Sequence, residues 1–262
     1  MKAARQNVSV LFCECAYTDL LASENRALVH ARLAAHPGPA LIVDDLCGRV
    51  AQRDGKLQAF VRDAAHLVVA ACYPRSARWL LRQADITPAD PLPQYLNLRG
   101  LSVQALDTAL TETLGEAGAD ADATPTGPRT LLREPPQADP PRHWFPVIDA
   151  ERCTNCRQCR DFCLFGVYDT DAQGRVRVIA PANCKDQCPA CARLCPQVAI
   201  LFPKLAERSP ISGEAGTEAP GKVRLSREAL FGDQPLAGLR ARRRPALLKI
   251  PPPGEVPPEA PS

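Results

Sequence analysis

Apolar and polar positions along the first 115 residues predict strands separated by helices. Short apolar runs rich in β-forming residues are each followed by a segment whose apolar residues recur at helical spacing. The predicted strands are 8–13, 40–43, 66–73 and 96–98, and the predicted helices are 24–36, 55–65, 76–85 and 102–114. Because the strand runs lack strict alternation and the connections are short, the pattern predicts an α/β fold: βαβ units around a small parallel sheet buried on both faces.

Proline content divides the rest of the chain. The 262 residues include 27 prolines, about twice the usual share, which is hard to hold in one core. We predict an α/β domain over residues 1–115, a Pro-rich linker over 116–142, an α+β domain over 143–204 and a mostly disordered tail over 205–262. Ala, Asp and Pro dominate the predicted linker, which favours an extended, semi-rigid conformation.

Charge and hydropathy exclude several classes of partner. The 32 basic and 29 acidic residues give a formal net charge of +3, which gives no reason to expect nucleic acid or an anionic membrane as the main partner. No apolar run approaches the length of about 18 residues that a membrane span needs. The first residues have neither the apolar length of a signal peptide nor a twin arginine. We therefore expect a cytoplasmic protein whose twelve cysteines are reduced and bind metal.

Eight of the cysteines form a repeat. The first half is Cys153-x2-Cys156-x2-Cys159-x3-Cys163, and the second half is Cys184-x3-Cys188-x2-Cys191-x3-Cys195. The last three cysteines of the two halves are 32 residues apart and the first ones only 31 (184 − 153), so the second half carries one inserted residue. Short apolar runs flank each half. Each half is therefore predicted to be a strand, a cysteine loop, a turn and a second strand.

This repeat resembles the two-cluster [4Fe–4S] ferredoxins of bacteria over residues 144–203. The resemblance implies a pseudo-twofold domain in which the fourth cysteine of each half serves the other cluster. One cluster would use Cys153, Cys156, Cys159 and Cys195, and the other would use Cys184, Cys188, Cys191 and Cys163. The chain departs from the family at Leu164, where a proline often follows the fourth cysteine, whereas Pro196 keeps that feature in the second half.

Other interpretations of the repeat have less support. Zinc knuckles also use CxxC pairs, but four cysteines in each of two symmetric halves favour cubane clusters. Disulfides are disfavoured in the expected compartment. The spacing from Cys184 to Cys191 is also that of the radical S-adenosylmethionine motif. Only 67 residues follow Cys195 (262 − 195), however, and that family needs a large barrel after its motif.

Four further cysteines lie at or just after the carboxyl ends of three predicted strands. They are Cys13, Cys15, Cys47 and Cys72. Because the carboxyl ends of parallel strands share one edge, we expect these thiols to converge. Four thiolates suit a [4Fe–4S] cluster or a zinc ion, and the alternative is that they are small buried core residues. Arg75 and Arg78 either place positive charge near such a centre or begin a solvated helix.

The same region carries FCEC, DDLCGR, DGKLQAF and VVAACYPRSARWLLRQADI. Together these segments resemble the N-terminal domain of the flavin-bearing subunit of heterodisulfide reductase, over about residues 7–100. The resemblance implies a third [4Fe–4S] cluster, with Cys13, Cys15, Cys47 and Cys72 as its ligands. The chain has no G-x-G-x-x-G motif and is too short for the flavin domain of that family, so we expect neither flavin nor NAD.

These features predict an iron–sulfur electron-transfer protein without a catalytic site of its own. An electron-relay subunit of a larger oxidoreductase complex fits best, and a flavoprotein, hydrogenase or reductase subunit would be its redox partner. The alternative is a cluster-dependent sensor or a metal-stapled interaction scaffold that does not relay electrons. Reversible reduction at low potential would favour relay.

Overall fold

Five parallel strands form the sheet of the N-terminal region in the computed structural model, which describes residues 8–86, 92–115, 128–133 and 143–215. The strands are β1 (Val8–Cys13), β2 (Ala40–Val43), β3 (His66–Ala71), β4 (Gln94–Asn97) and β5 (Arg129–Leu132). Their spatial order is β4-β3-β1-β2-β5, and every neighbouring pair is parallel. The predicted parallel sheet of the N-terminal region is therefore confirmed.

Helices occupy the connections between the strands. They are α1 (Ser23–Ala35), α2 (Leu46–Ala51), α3 (Gly55–Asp63), α4 (Pro74–Gln83) and α5 (Val103–Leu114). All of β2 is buried, as are β1 and β3 apart from their first residues, as expected for strands covered on both faces. Helix α2 is additional to the predicted helices, and the Asp45 side chain caps it by accepting the Cys47 N–H at 3.2 Å. Across the part of the chain that the structure describes, no helix is long and apolar enough to cross a membrane.

Strand β5 corrects part of the predicted linker. Residues 129–132 lie inside the segment 116–142, yet they pair with β2 along its whole length. The Pro128 carbonyl also accepts the Ala40 N–H at 3.0 Å. The many prolines around this four-residue run make it resemble a linker in the sequence. It forms a strand because it can pair with the open edge of β2. The other residues of the predicted linker lie outside the described ranges, and the domain boundaries after 115 and before 143 stay a prediction.

The cysteine-rich region contains two antiparallel strand pairs and two short helices. Its elements are β6 (Val147–Ile148), α6 (Gln158–Phe162), β7 (Tyr168–Thr170), β8 (Val176–Val178), α7 (Ala190–Leu194) and β9 (Ile200–Leu201). Strand β6 pairs with β9, and β7 pairs with β8. Left-handed backbone conformations recur at the 32-residue spacing of the sequence repeat. Asn155 and Gln187 both have φ 56°, and Gly166 and Val198 have φ 66° and 50°.

The two regions share a hydrophobic core. Phe145, Val147 and Leu201 of the cysteine-rich region belong to the same buried cluster as the strands of the parallel sheet. A second cluster includes Tyr168, Ile200 and Phe202. All described residues lie within one compact unit, Met1–Gly221. The cysteine-rich region therefore supplies part of the core that holds the sheet.

Residues 205–215 correct the beginning of the predicted tail. A 3₁₀ turn at Pro210–Ser212 buries Ile211, which is 2% exposed. The Ser76 hydroxyl donates to the Ser212 carbonyl at 2.8 Å. Gly213 has φ 100°, and a Cβ at this position would collide with the Ser76 hydroxyl, so the turn requires glycine there. This segment is ordered because it packs on the beginning of α4, whereas residues 216–262 lie outside the described ranges.

The shared core predicts that Leu201→Ala destabilises the sheet as well as the cysteine-rich region. Leu201 is fully buried, and removal of such a side chain costs about 2–5 kcal/mol. Urea unfolding followed by circular dichroism measures the loss, and hydrogen exchange in β1 and β3 should rise with it. Leu131→Ala is the matched control, because that side chain is 57% exposed and its loss should cost less than about 0.5 kcal/mol. Unchanged exchange in β1 and β3 in Leu201→Ala would contradict a shared core.

Candidate metal centres

The first cavity of the cysteine-rich region is lined by thiols from both halves of the repeat. They are Cys153, Cys156, Cys159 and Cys195. Burial raises the pKa of Cys153, and the charges of Cys195 and Cys156 raise it further. Burial also raises the pKa of Cys159 to about 12, again with a contribution from Cys195. The fourth cysteine of the second half therefore lies with the first three of the first half.

The second cavity shows the reciprocal grouping. It is lined by Cys163, Cys184, Cys188 and Cys191. Burial raises the pKa of Cys184 to about 12, and the charges of Cys191, Cys188 and Cys163 contribute to the increase. Most residues that line this cavity are apolar, although Asp161 and Lys185 also line it, and Leu164, which takes the place of the family's proline, is 93% exposed. The structure thus brings together the same two sets of cysteines that the ferredoxin resemblance implies.

Hydrogen bonds to sulfur distinguish individual thiols in the two cavities. The Tyr168 hydroxyl donates to Cys191 Sγ at 3.1 Å, in the second cavity. The Ala199 N–H donates to Cys195 Sγ at 3.3 Å, in the first. Donors of this kind stabilise negative charge on a ligating sulfur. Neither donor is recognisable from the cysteine spacing, because both depend on how the two halves pack together.

The four N-terminal cysteines lie at the carboxyl edge of three adjacent strands. Cys13 ends β1, Cys47 lies in the first turn of α2 after β2, and Cys72 follows β3 directly. The backbone of Cys15 is left-handed, with φ 50°, and this residue turns the chain sharply after β1. Cys13, Cys15 and Cys47 are buried and Cys72 is partly buried. The order β3-β1-β2 puts all three strand ends side by side, where ligands collect in open parallel sheets.

The N-terminal thiols influence one another's protonation. A hydrogen bond between the two side chains raises the pKa of Cys13 and lowers that of Cys15 to about 7. Burial raises the pKa of Cys47, and the charges of Cys72 and Cys15 contribute to this shift. Burial raises the pKa of Cys72 to about 12, with Cys15 again contributing. The Leu46 N–H donates to Cys13 Sγ at 3.3 Å.

Charged side chains join the two regions beside the cysteines. Arg75, three residues after Cys72, donates from Nε to Asp149 Oδ2 at 2.7 Å and from Nη2 to the Val198 carbonyl at 2.7 Å. Arg78 pairs with Glu151 on the surface. Lys204 Nζ lies 2.6 Å from Asp45 Oδ2, and both side chains are buried. The sequence leaves open whether Arg75 and Arg78 place positive charge near a metal centre or begin a solvated helix, and the structure shows that the Arg75 side chain is only 16% exposed. Neither arginine's partner nor the role of Lys204 follows from any local pattern.

The chemistry of the donor sets suits iron–sulfur clusters, because each group consists of four thiols and four thiolates hold a [4Fe–4S] cluster. Within the described ranges, no group of three or more His, Cys, Asp or Glu side chains has the arrangement of a formed metal site. The grouping of these cysteines therefore rests on the cavities that they line and on their effects on one another's pKa. It does not rest on distances of the kind found between the ligands of a metal. Because burial raises the pKa of several of the thiols, metal binding would release protons from them.

Comparisons with known proteins find ferredoxin-type matches for the cysteine-rich region. Residues 145–212 match the family model described as a 4Fe-4S dicluster domain. A Methanocaldococcus jannaschii protein named as an uncharacterized ferredoxin is 46% identical over 61 residues, which cover 23% of this chain and 41% of the relative. The chain therefore matches less than half the length of that relative. No solved structure matches the chain. The chain contains a 4Fe-4S dicluster ferredoxin domain, while the heterodisulfide-reductase resemblance of the N-terminal region stays a prediction.

The contacts of Arg75 predict a selective loss of stability in Arg75→Met. The Arg75 and Asp149 side chains are 16% and 4% exposed, and removal of one partner of a buried pair costs about 3 kcal/mol because the other charge is left without it. Arg78→Met is the matched control on the same helix. Its pair with Glu151 is 33% and 58% exposed, so its loss should cost less than about 1 kcal/mol. Equal urea-unfolding free energies for the two variants would contradict this assignment.

Proposed function

We propose that this chain is an electron-transfer protein with two [4Fe–4S] clusters in its dicluster domain and a third at the carboxyl edge of its parallel sheet. When bound, such clusters accept and donate single electrons. The proposed role is relay between redox proteins, as a subunit of a larger oxidoreductase complex and without a catalytic site of its own. We propose a flavoprotein, a hydrogenase or a reductase subunit as the partner.

One observation carries the proposal for the dicluster domain. Each of the two cavities is lined by four cysteines, three from one half of the repeat and the fourth from the other half. Zinc sites built from neighbouring CxxC pairs would not need this exchange. A cubane cluster does, because three closely spaced thiolates on one loop bind three irons and the fourth iron takes a ligand from elsewhere.

The chain's own residues would hold and tune the clusters. The Tyr168 hydroxyl and the Ala199 N–H stabilise negative charge on Cys191 and Cys195. Apolar side chains such as Ile148 and Ile200 line the first cavity and lower the local dielectric constant. The second cavity lies at the surface beside the exposed Leu164. A cluster in that position would be close to a docked redox partner, which supports a relay role.

The N-terminal edge supports a third cluster by its donors and its fold position. Four thiols lie at or just after the carboxyl ends of three neighbouring parallel strands, and four thiolates suit either a [4Fe–4S] cluster or zinc. We propose iron because the segments that carry these cysteines resemble heterodisulfide reductase. The test requires the full chain. A fragment that ends at residue 115 lacks β5, Leu201 and Lys204, which contribute to this sheet and its edge.

Single substitutions should separate the two dicluster sites. Cys163→Ala should remove the same cluster as Cys188→Ala, and Cys195→Ala should remove the same cluster as Cys156→Ala, because the fourth ligand crosses between halves. Electron paramagnetic resonance spectra of the anaerobically purified and reduced variants provide the comparison. A Cys163→Ala spectrum that matches Cys156→Ala would instead mean that each half holds its own cluster. Stoichiometric zinc without visible charge-transfer absorption would refute the proposed function as a whole.

Removal of Cys47 should remove the third cluster alone. The full chain should contain about twelve irons, from three clusters of four, and Cys47→Ala should contain about eight, with both dicluster signals unchanged. Val50→Ala is the matched control, because Val50 is a buried residue of the same helix without a thiol and its loss should leave the iron content unchanged. About eight irons in the unsubstituted chain, with or without one zinc, would show that these four cysteines do not hold an iron–sulfur cluster.

A further inference from the structure

A buried ion pair lies at the edge of the sheet that carries the N-terminal cysteines. Lys204 Nζ is 2.6 Å from Asp45 Oδ2, and the two side chains are 5% and 3% exposed. Asp45 follows β2, whereas Lys204 follows β9 and is 159 residues away along the chain. The cation of this pair is therefore supplied by the dicluster domain, and its anion by the sheet region.

The carboxylate of Asp45 is fixed beside two of the thiols. Its Oδ1 accepts the Cys47 N–H at 3.2 Å, and its side chain caps α2. The next residue, Leu46, donates its N–H to Cys13 Sγ at 3.3 Å. The ion pair therefore occupies the same short turn that carries Cys47 and contacts Cys13.

The two members of the pair act on the thiols in opposite directions. The charges of Asp45 and Lys204 both act on Cys47 and on Cys15. A positive charge at this position favours sulfur that carries negative charge, and a negative charge disfavours it.

We propose that Lys204 and Asp45 are positioning residues of the N-terminal metal site, with Lys204 favouring and Asp45 opposing the more negatively charged state of a cluster held there. This inference rests on the proposed third cluster. It makes the reduction potential of that cluster depend on a side chain of the dicluster domain, so the N-terminal region alone does not contain its complete site. The same pair holds the two regions together.

The test uses three variants of the full chain: Lys204→Gln, Asp45→Asn and the double variant. The readout is a redox titration of the resonance signal that Cys47→Ala lacks. Lys204→Gln should lower the ratio of reduced to oxidised cluster at a fixed potential by about tenfold, the order expected for one elementary charge close to a partly buried centre. Tenfold corresponds to about 59 mV for a one-electron couple. Asp45→Asn should shift the ratio in the opposite direction, and the double variant should return towards the unsubstituted value.

Opposite signs separate a charge effect from a structural one, because a loosened site would shift both single variants in the same direction. Asparagine keeps the cap of α2. The double variant removes both charges of the pair, so it tests the proposal even if Lys204→Gln, which takes this partner from Asp45, fails to hold iron at this site. Recovery of that iron in the double variant supports the proposal, and continued loss overturns it. Lys56→Gln, at an exposed position on α3, should change nothing.

Failure of this inference differs from failure of the proposed function. About eight irons in the unsubstituted chain overturn the third cluster, and this inference with it. About twelve irons, together with a signal whose potential is the same in all three variants, overturn the roles of Lys204 and Asp45 alone.

Discussion

The guanidinium group of Arg75 connects three cysteine-bearing segments. Its helix begins at Pro74, two residues after Cys72, its Nε binds the carboxylate of Asp149, and its Nη2 binds the carbonyl of Val198. The Asp149 carbonyl accepts the Cys153 N–H at 3.0 Å, and Val198 follows Cys195 by three residues. This one largely buried cation therefore fixes the end of β3 relative to both halves of the first cavity. Val198 also has a left-handed backbone, with φ 50°, which a β-branched residue rarely adopts unless its surroundings hold it.

Polar contacts of this kind fix the position of the two regions relative to each other, whereas apolar contacts bury the surface between them. Phe145, Val147 and Leu201 enter the core of the sheet without directional preference. The ion pairs of Arg75 with Asp149 and of Lys204 with Asp45 tolerate only one arrangement, because a displaced charge would be buried without its partner. Ligands that come from distant parts of a chain need such a fixed arrangement.

The parts that sequence reasoning predicts are those with a local signal. Burial on both faces gives β1 to β3 their continuous apolar runs, and the ferredoxin resemblance of the cysteine repeat implies the two sets of thiols that line the two cavities. Strand β5 has no such signal, because its proline-rich surroundings resemble a linker and its partner is the edge of β2. Lys204 likewise has no local signal. Nothing near residue 204 indicates that its partner is Asp45, since the pairing appears only after two distant segments pack together.

The inserted residue of the second half makes the two cavities inequivalent. Helices α6 and α7 keep the 32-residue offset, and so do the left-handed residues Asn155 and Gln187. The insertion therefore lies between Cys184 and Gln187, in the loop that leads from Cys184 to Cys188. A 3₁₀ turn at Pro181–Asn183 leads into Cys184, which packs against both hydrophobic cores. The first cavity, by contrast, adjoins the segments that Arg75 binds. Two halves of similar sequence thus surround their thiols with different charges and different burial, and these are the quantities that set a cluster's reduction potential.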